Sequence, residues 1–590
     1  MTPAQINSDS AGADAGSGGD FAADYLIIGS GFGGSVSAMR LTEKGWSVIV
    51  LEAGRRFQDH DFAKSTWNLR RYFWAPLLGL RGIFRLTLMR DSFIATGAGV
   101  GGGSLGYANT LYQPDSPSFY GDPQWSELAD WKVELAPHYA TAKRMLGVER
   151  YHPKGPADEL VERFGIELGV GDSFELTPVG VFLGEPDVEV DDPYFGGKGP
   201  RRTGCIRCGA CMVGCRVGAK NTLVKNYLWF AEQAGAKVRA EREVSNLTPL
   251  GPSHDGSDGW EVASVRPGWW LRPRRESLRA RNVIVSAGAL GTTRLLLRLK
   301  SQGSLPQLSD RVGRLVRTNS ESILAVTAPR AAHSDFTNTV AISSSIHTDA
   351  HTAIELVSYG AGGGAIGMLS TLLIPNGTRV TRPLKFIGQA LRHPLNFVQT
   401  LWPWGWARRS FLLLVMQSHD NALRFRAKRR LLFRGYRYTS ENDSDRPKPG
   451  TLEIANAAAE RIASYVDGLP QSSITEALFN VPTTAHLLGG ATIGADDEHG
   501  VIDARHHVFG YANLLVCDGS AIPANVGVNP SLTITAMAER AMAFIPDRGE
   551  AGSRERGIGT GTRSAQEDVQ AGHVAASSAA GTPPDQVTPA

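Results

Sequence analysis

Residues 24–34 read Asp-Tyr-Leu-Ile-Ile-Gly-Ser-Gly-Phe-Gly-Gly, and the fold turns on how this stretch is read. Tyr25 to Ile28 is an unbroken apolar run of strand length, and the glycines that follow end it sharply. Gly29 permits a tight turn, Gly31 lets the backbone approach a pyrophosphate, and Gly34 allows close helix–strand packing. A helical pattern continues to Lys44, and its N-terminus would hold phosphates through free N–H groups and the helix dipole. Ser47–Leu51 then forms a second strand that ends at Glu52, where an acid is expected to accept a ribose hydroxyl. A Gly-rich turn with no ligand would explain the glycines alone. It does not explain the strand before them, the helix after them and the acid at the next strand end. The unit is βαβ and binds a dinucleotide, although it does not separate FAD from NAD.

Two similar signals lie far away in the chain. Asn282–Ser286 is a strand run followed by Ala287-Gly288 and a Leu-rich helix. Asn513–Cys517 is another, leading to Asp518-Gly519-Ser520, a loop, and Asn529-Pro530 before a helix from Ser531 to Phe544. Asn is a preferred N-cap and Pro suits the first helical turn. A sheet assembled from such separated pieces predicts a discontinuous Rossmann-like domain of residues 21–115, 200–310 and 482–546. Residues 116–199 and 311–481 would then form a second, substrate-binding domain. The ends, 1–20 and 547–590, hold almost no large apolar residues and read as disordered tails. Thr96 to Ser104 carries five glycines, too many for a helix or a central strand. Its hydrophobic flanks (Phe93, Ile94, Leu105, Leu111) argue against a solvated linker, so it reads as backbone lying flat against a planar ring or phosphates.

In order, the chain carries Gly29–Gly34 with Glu52, the run at 99–104, Ser286-Ala-Gly-Ala-Leu-Gly-Thr292, His486-Leu-Leu-Gly-Gly490, and Asp518-Gly-Ser with Val528-Asn-Pro-Ser-Leu-Thr-Ile-Thr535. This series resembles the glucose–methanol–choline oxidoreductase family, in particular its bacterial sterol-oxidising members with non-covalent FAD. The likeness spans residues 22–546. It implies an α/β and α+β architecture, with a discontinuous FAD domain and a substrate domain whose mixed sheet roofs the flavin. It implies cofactor contacts from Gly29, Gly31, Phe32, Gly33, Gly34, Glu52, Gly103, Val244, Asp518, Gly519, Asn529 and Pro530. His486 becomes the residue that hydrogen-bonds or deprotonates the substrate hydroxyl as hydride leaves for flavin N5, a task suited to an imidazole titrating near neutrality. Asn529 would contact flavin and substrate, and the helix after it would aim its positive end at the flavin pyrimidine. Glu355 matches the carboxylate that moves a proton across the steroid ring, turning a 5-ene into a 4-ene ketone; burial would raise its pKa. The implied substrate is a 3β-hydroxysteroid, with another bulky or long-chain alcohol as the alternative; the reading of another class is an electron-transfer or lipid-binding flavoprotein without alcohol turnover. The sequence departs from the family at Tyr107, which stands in place of an asparagine, with Asn109 two residues later.

Cys205, Cys208, Cys211 and Cys215 have the spacing of a bacterial ferredoxin run. An iron–sulfur cluster, a loop of reduced thiols and a local disulfide all fit it. A cluster would pass flavin electrons to a redox partner; without one, dioxygen is the natural acceptor. Residues 379–409 hold six Lys or Arg and no acid, interleaved with Trp402, Trp404, Trp406 and other apolar residues. With Tyr72–Met89, this segment reads either as a peripheral membrane anchor or as packing over a substrate cavity. The net charge of +3 gives no case for nucleic acid. No apolar stretch approaches the ~20 residues that span a bilayer, and the N-terminus lacks a secretory pattern. A cytoplasmic protein, associated with a membrane only at its periphery, is expected.

Overall fold

The run before Gly29 becomes the central strand of a seven-stranded sheet. Ala23–Ile28 is buried along its whole length and pairs in parallel with Val48–Leu51 on one side and with Arg275–Val285 on the other. Lys237–Arg239 and Leu514–Val516 extend this parallel core. Phe32–Glu43 is the helix opened by the glycines; it packs against Ser531–Ala543 and Tyr227–Gln233. All the separated strand signals therefore meet in one sheet. Its far side is antiparallel, through Trp260–Val265 and Glu243–Pro249. For this reason the strand read from sequence only at 282–286 begins at Arg275. Its first half alternates exposed and half-buried residues against Trp260–Val265.

A second seven-stranded sheet is ordered Ser370–Leu372, Leu469–Ser473, Ser322–Thr327, Ser410–Gln417, Thr352–Val357, Ile342–Asp349 and Glu175–Leu176. Each of its described pairings is antiparallel. The mixing of strand directions expected for this roof falls instead in the dinucleotide sheet. Successive side chains of a strand face opposite ways. Phe411, Leu413 and Val415 therefore pack with Leu324, Ile354 and Leu356 under helices Pro156–Glu167 and Glu453–Ser464, while Leu412 and Leu414 point into a cavity.

This computed structural model describes residues 21–268, 274–429, 435–446 and 452–550. The tails expected at 1–20 and 547–590 lie outside the described residues, apart from 547–550. Residues through Ile545 form one unit by their contacts. Among the described residues, no helix is long and apolar enough to cross a membrane.

Candidate active site

Between the two sheets lies a cavity of about 580 Å³. Its floor is the set of turns at the strand ends. Gly29 has φ +102°, and a Cβ there would lie 2.2 Å from the carbonyl oxygen of Ser286, so only glycine lets the two parallel-strand turns meet. Gly102, at φ +53°, would place a Cβ 2.6 Å from Gly31 Cα. The Gly-rich run is thus packed backbone to backbone on the first turn, while Gly31 itself faces open space on the cavity wall. Phe32, Gly33, Gly103, Val244, Gly519 and Pro530 also line the cavity. Gly34 does not; it packs against Gly29 behind the turn.

Two carboxylates clamp this floor. Glu52 accepts hydrogen bonds from Ser30 N and Oγ (3.1 and 2.7 Å) and from the backbone N–H of Gly54 and Gly99 (2.8 and 3.3 Å). It lines the cavity, and it also ties the first glycine turn to the second glycine cluster. Asp518 does the same for the other two turns. It accepts from Ser520 N and Oγ through one oxygen, and from Gly288 N and Thr292 Oγ1 through the other. Burial raises its pKa against the pull of those donors.

Asn529 does not cap the last helix. That helix begins at Ser531 with Pro530 as its cap residue and no side-chain cap bond. The Asn529 amide turns instead to the roof, where Nδ2 donates to Glu355 Oε2 (3.1 Å) and lies 3.4 Å from His486 Nε2. A hydrogen bond to a buried carboxylate is worth more than an N-cap, which explains the choice. Among the described residues, Asn529 Oδ1 is buried without a hydrogen-bond partner. Glu355 is fully buried in Thr352–Val357, on the same face of that strand as Val357. It stands behind Asn529 rather than on the cavity wall. Burial pushes its pKa up to about 7, against the opposing influence of His486 and Asn529.

His486 follows the two-residue strand Thr483–Thr484, which pairs in parallel with Phe93–Ile94. The Gly489-Gly490 turn, with φ +72° and +98°, brings the chain back to the floor. Sequence reading missed the residue behind the imidazole. Glu321 is buried, its Oε1 lies 2.5 Å from His486 Nδ1, and its Oε2 accepts from Ala485 N (2.9 Å). Burial alone would lower the pKa of His486, but Glu321 and then Glu355 outweigh it and raise the value. Glu321, His486 and Asn529 therefore form a continuous polar line on the cavity wall that ends on Glu355 behind Asn529, with a carboxylate at each end.

Tyr107 lines the cavity and meets Phe32 edge to face, whereas Asn109 is buried away from it. Cys205, Cys208, Cys211 and Cys215 are free thiols around a small separate recess. Burial pushes the Cys205 thiol up to about 11 and raises Cys208 and Cys211 as well. Among the described residues, no group of three or more His, Cys, Asp or Glu is arranged to hold a metal ion. The iron–sulfur reading thus finds no support.

A family model described as GMC oxidoreductase matches residues 439–538. The fold is similar to that of pyridoxine 4-oxidase from Mesorbium loti, with a TM-score of 0.54 at 14% identity over 88% of this chain and 98% of that one. A cholesterol oxidase of Mycobacterium tuberculosis is 50% identical over 90% of this chain and 92% of its own length. The chain belongs to the glucose–methanol–choline oxidoreductase family and is an FAD-dependent alcohol oxidoreductase. Within that family its likeness is to cholesterol oxidases. A second, from Acinetobacter baumannii, is 46% identical over 89% of this chain and 94% of its own length.

Proposed function

We propose that this enzyme oxidises the 3β-hydroxyl of a sterol to the 3-ketone, with dioxygen as the final acceptor. The observation that carries the reading is one chamber in which the His486–Asn529 pair meets an apolar roof of Ile323, Ile342, Val357, Leu412 and Leu414. The cholesterol oxidases at 46–50% identity support it. The open wall at Gly31, the clamped turns and the unpartnered Asn529 Oδ1 suit a bound flavin nucleotide. When bound, FAD supplies the acceptor for the carbinol hydride. Asn529 and His486 orient the hydroxyl, and His486 Nε2 takes its proton as the C–O bond becomes C=O. Glu355, with its proton affinity near neutrality, then moves a proton across the ring to convert the 5-ene to the 4-ene ketone. Mixing holoenzyme anaerobically with a 3β-hydroxysteroid should bleach the flavin far faster than a straight-chain alcohol does, and His486→Gln should slow this about 100-fold or more. Equal bleaching by both alcohols would overturn the sterol reading.

The substrate is supplied, in this reading, by an anionic lipid surface. Helices Thr381–Arg392 and Pro394–Thr400 pack inward through Phe386, Ala390 and Phe397 and leave Leu384, Leu391 and Leu395 exposed, with Trp404 exposed just after them in the chain. Leu77 and Leu78, in the second segment singled out by sequence, are exposed as well. Arg382 and Trp406 are buried, so they belong to the scaffold and not to this face. Lys385 and Arg392 supply the positive charge, with no acid between residues 379 and 409, whereas Arg379 is paired with the buried Asp91 (2.7 Å). The helix Pro394–Thr400 packs on Ser370–Leu372, and Leu369 and Ser370 line the cavity, so the apolar face adjoins the cavity mouth. Sedimentation with vesicles should give stronger binding to phosphatidylglycerol-containing than to neutral vesicles, weakened by Leu384→Ser with Leu391→Ser. Equal binding by both proteins would end this part of the reading.

A further inference from the structure

We propose that Glu321 is a positioning residue that fixes His486 with its Nδ1–H toward the carboxylate and the Nε2 lone pair toward the alcohol. The inference rests on the reading of His486 as proton acceptor. Glu321 cannot point elsewhere: Oε2 is held by Ala485 N, one residue before the imidazole. Its Oε1 and His486 Nδ1, 2.5 Å apart, have no other hydrogen-bond partner among the described residues. On the far side, the amide N–H of Asn529 can approach Nε2 at 3.4 Å only if that nitrogen carries a lone pair. Both neighbours therefore select the same tautomer.

The carboxylate also sets basicity. The charged groups that act on His486 are Glu321, from the segment before Ser322–Thr327, and Glu355, from Thr352–Val357. Glu175 acts on Glu355, and Glu355 on Tyr112, and neither Glu175 nor Tyr112 is among the groups that shift the imidazole. Glu321 raises the proton affinity of His486, so the acidic limb of kcat/KM lies at higher pH in the native enzyme than it would without this carboxylate. The proton taken from the alcohol at Nε2 leaves an imidazolium, and its positive charge is balanced by Glu321 in a buried site.

Glu321→Gln tests this, because an amide has one acceptor and one donor group. With its oxygen kept on Ala485 N–H, its NH2 faces Nδ1 and forces the proton to Nε2, where it blocks the hydroxyl. Holoenzyme carrying Glu321→Gln should keep its flavin content and spectrum, lose about 100-fold in kcat with little change in KM, and shift the acidic limb about one unit to lower pH. Nitrogen-15 spectra of histidine-labelled enzyme, assigned with His486→Gln, should give an Nδ1–H tautomer in the native protein and Nε2–H in Glu321→Gln. Glu321→Asp, which keeps the charge, should retain the native tautomer and part of the rate. A native Nε2–H tautomer, or an unchanged rate and limb in Glu321→Gln, would overturn the assignment while a slow His486→Gln left the proposed reaction standing. An unimpaired His486→Gln would sink both.

Discussion

At the scale of single residues, the polar line beneath the roof is a set of charges held at a cost. Glu355 is fully buried, its Oε1 has no partner, and burial holds its pKa at about 7 against an ordinary carboxyl value of 4.5. Between those two values the folded protein keeps a proton that the unfolded chain has released. Stability therefore falls as pH rises through that window and levels off above about 7. Glu355→Gln removes the titration, so thermal unfolding of the variant should gain over the native enzyme at pH 8 but not at pH 4. The difference should be on the order of 1–3 kcal/mol. A variant equally shifted at both pH values would show that the carboxyl is not the source.

At the scale of elements, the glycine clusters were legible because each does its work locally. A strand, a turn and a helix N-terminus leave their signature within a dozen residues, and Gly29–Gly34 carries it whole. Glu321 left none. It sits in Asn-Ser-Glu-Ser, without periodicity, and its partners Ala485 and His486 are about 165 residues away in the chain. The cap predicted at Asn529 failed for a related reason, since local propensity could not foresee a buried carboxylate from another sheet. The fit of the two glycine elements is itself testable. A methyl group on Gly102 would lie 2.6 Å from Gly31 Cα, which is backbone and cannot give way as a flexible side chain would. Gly102→Ala should lose most of its flavin on gel filtration while Gly388→Ala, in the helix Thr381–Arg392 with nothing among the described residues within 4 Å, keeps it.

At the scale of the molecule, the two sheets are joined by a buried cation. Arg317 is fully buried and pairs with Asp122 Oδ2 (3.0 Å) and Asp420, and it also donates to the carbonyls of Asn421 and Pro523. Its backbone bridges Leu488, two residues after the imidazole. Arg317→Met strands the Asp122 carboxylate in the interior, so denaturant unfolding should report a loss of roughly 3–5 kcal/mol. A loss below about 1 kcal/mol would mean that solvent reaches this junction. None of these long-range pairings could be read from the chain, whereas the gathering of separated strands into one dinucleotide sheet could, because it follows from the order of strand signals; the roof is implied only by the family likeness.

The parallel strand Leu514–Val516 and the turn at Asp518 come from the last sixth of the sequence, yet they complete the floor begun at residue 23. During synthesis the first strand and helix emerge hundreds of residues before that partner exists. The nascent protein must carry an open sheet edge and an unfinished nucleotide crevice until translation is nearly over. Premature termination anywhere upstream of residue 514 would release a chain with no means of retaining its flavin, and such fragments would be substrates for chaperones and proteases.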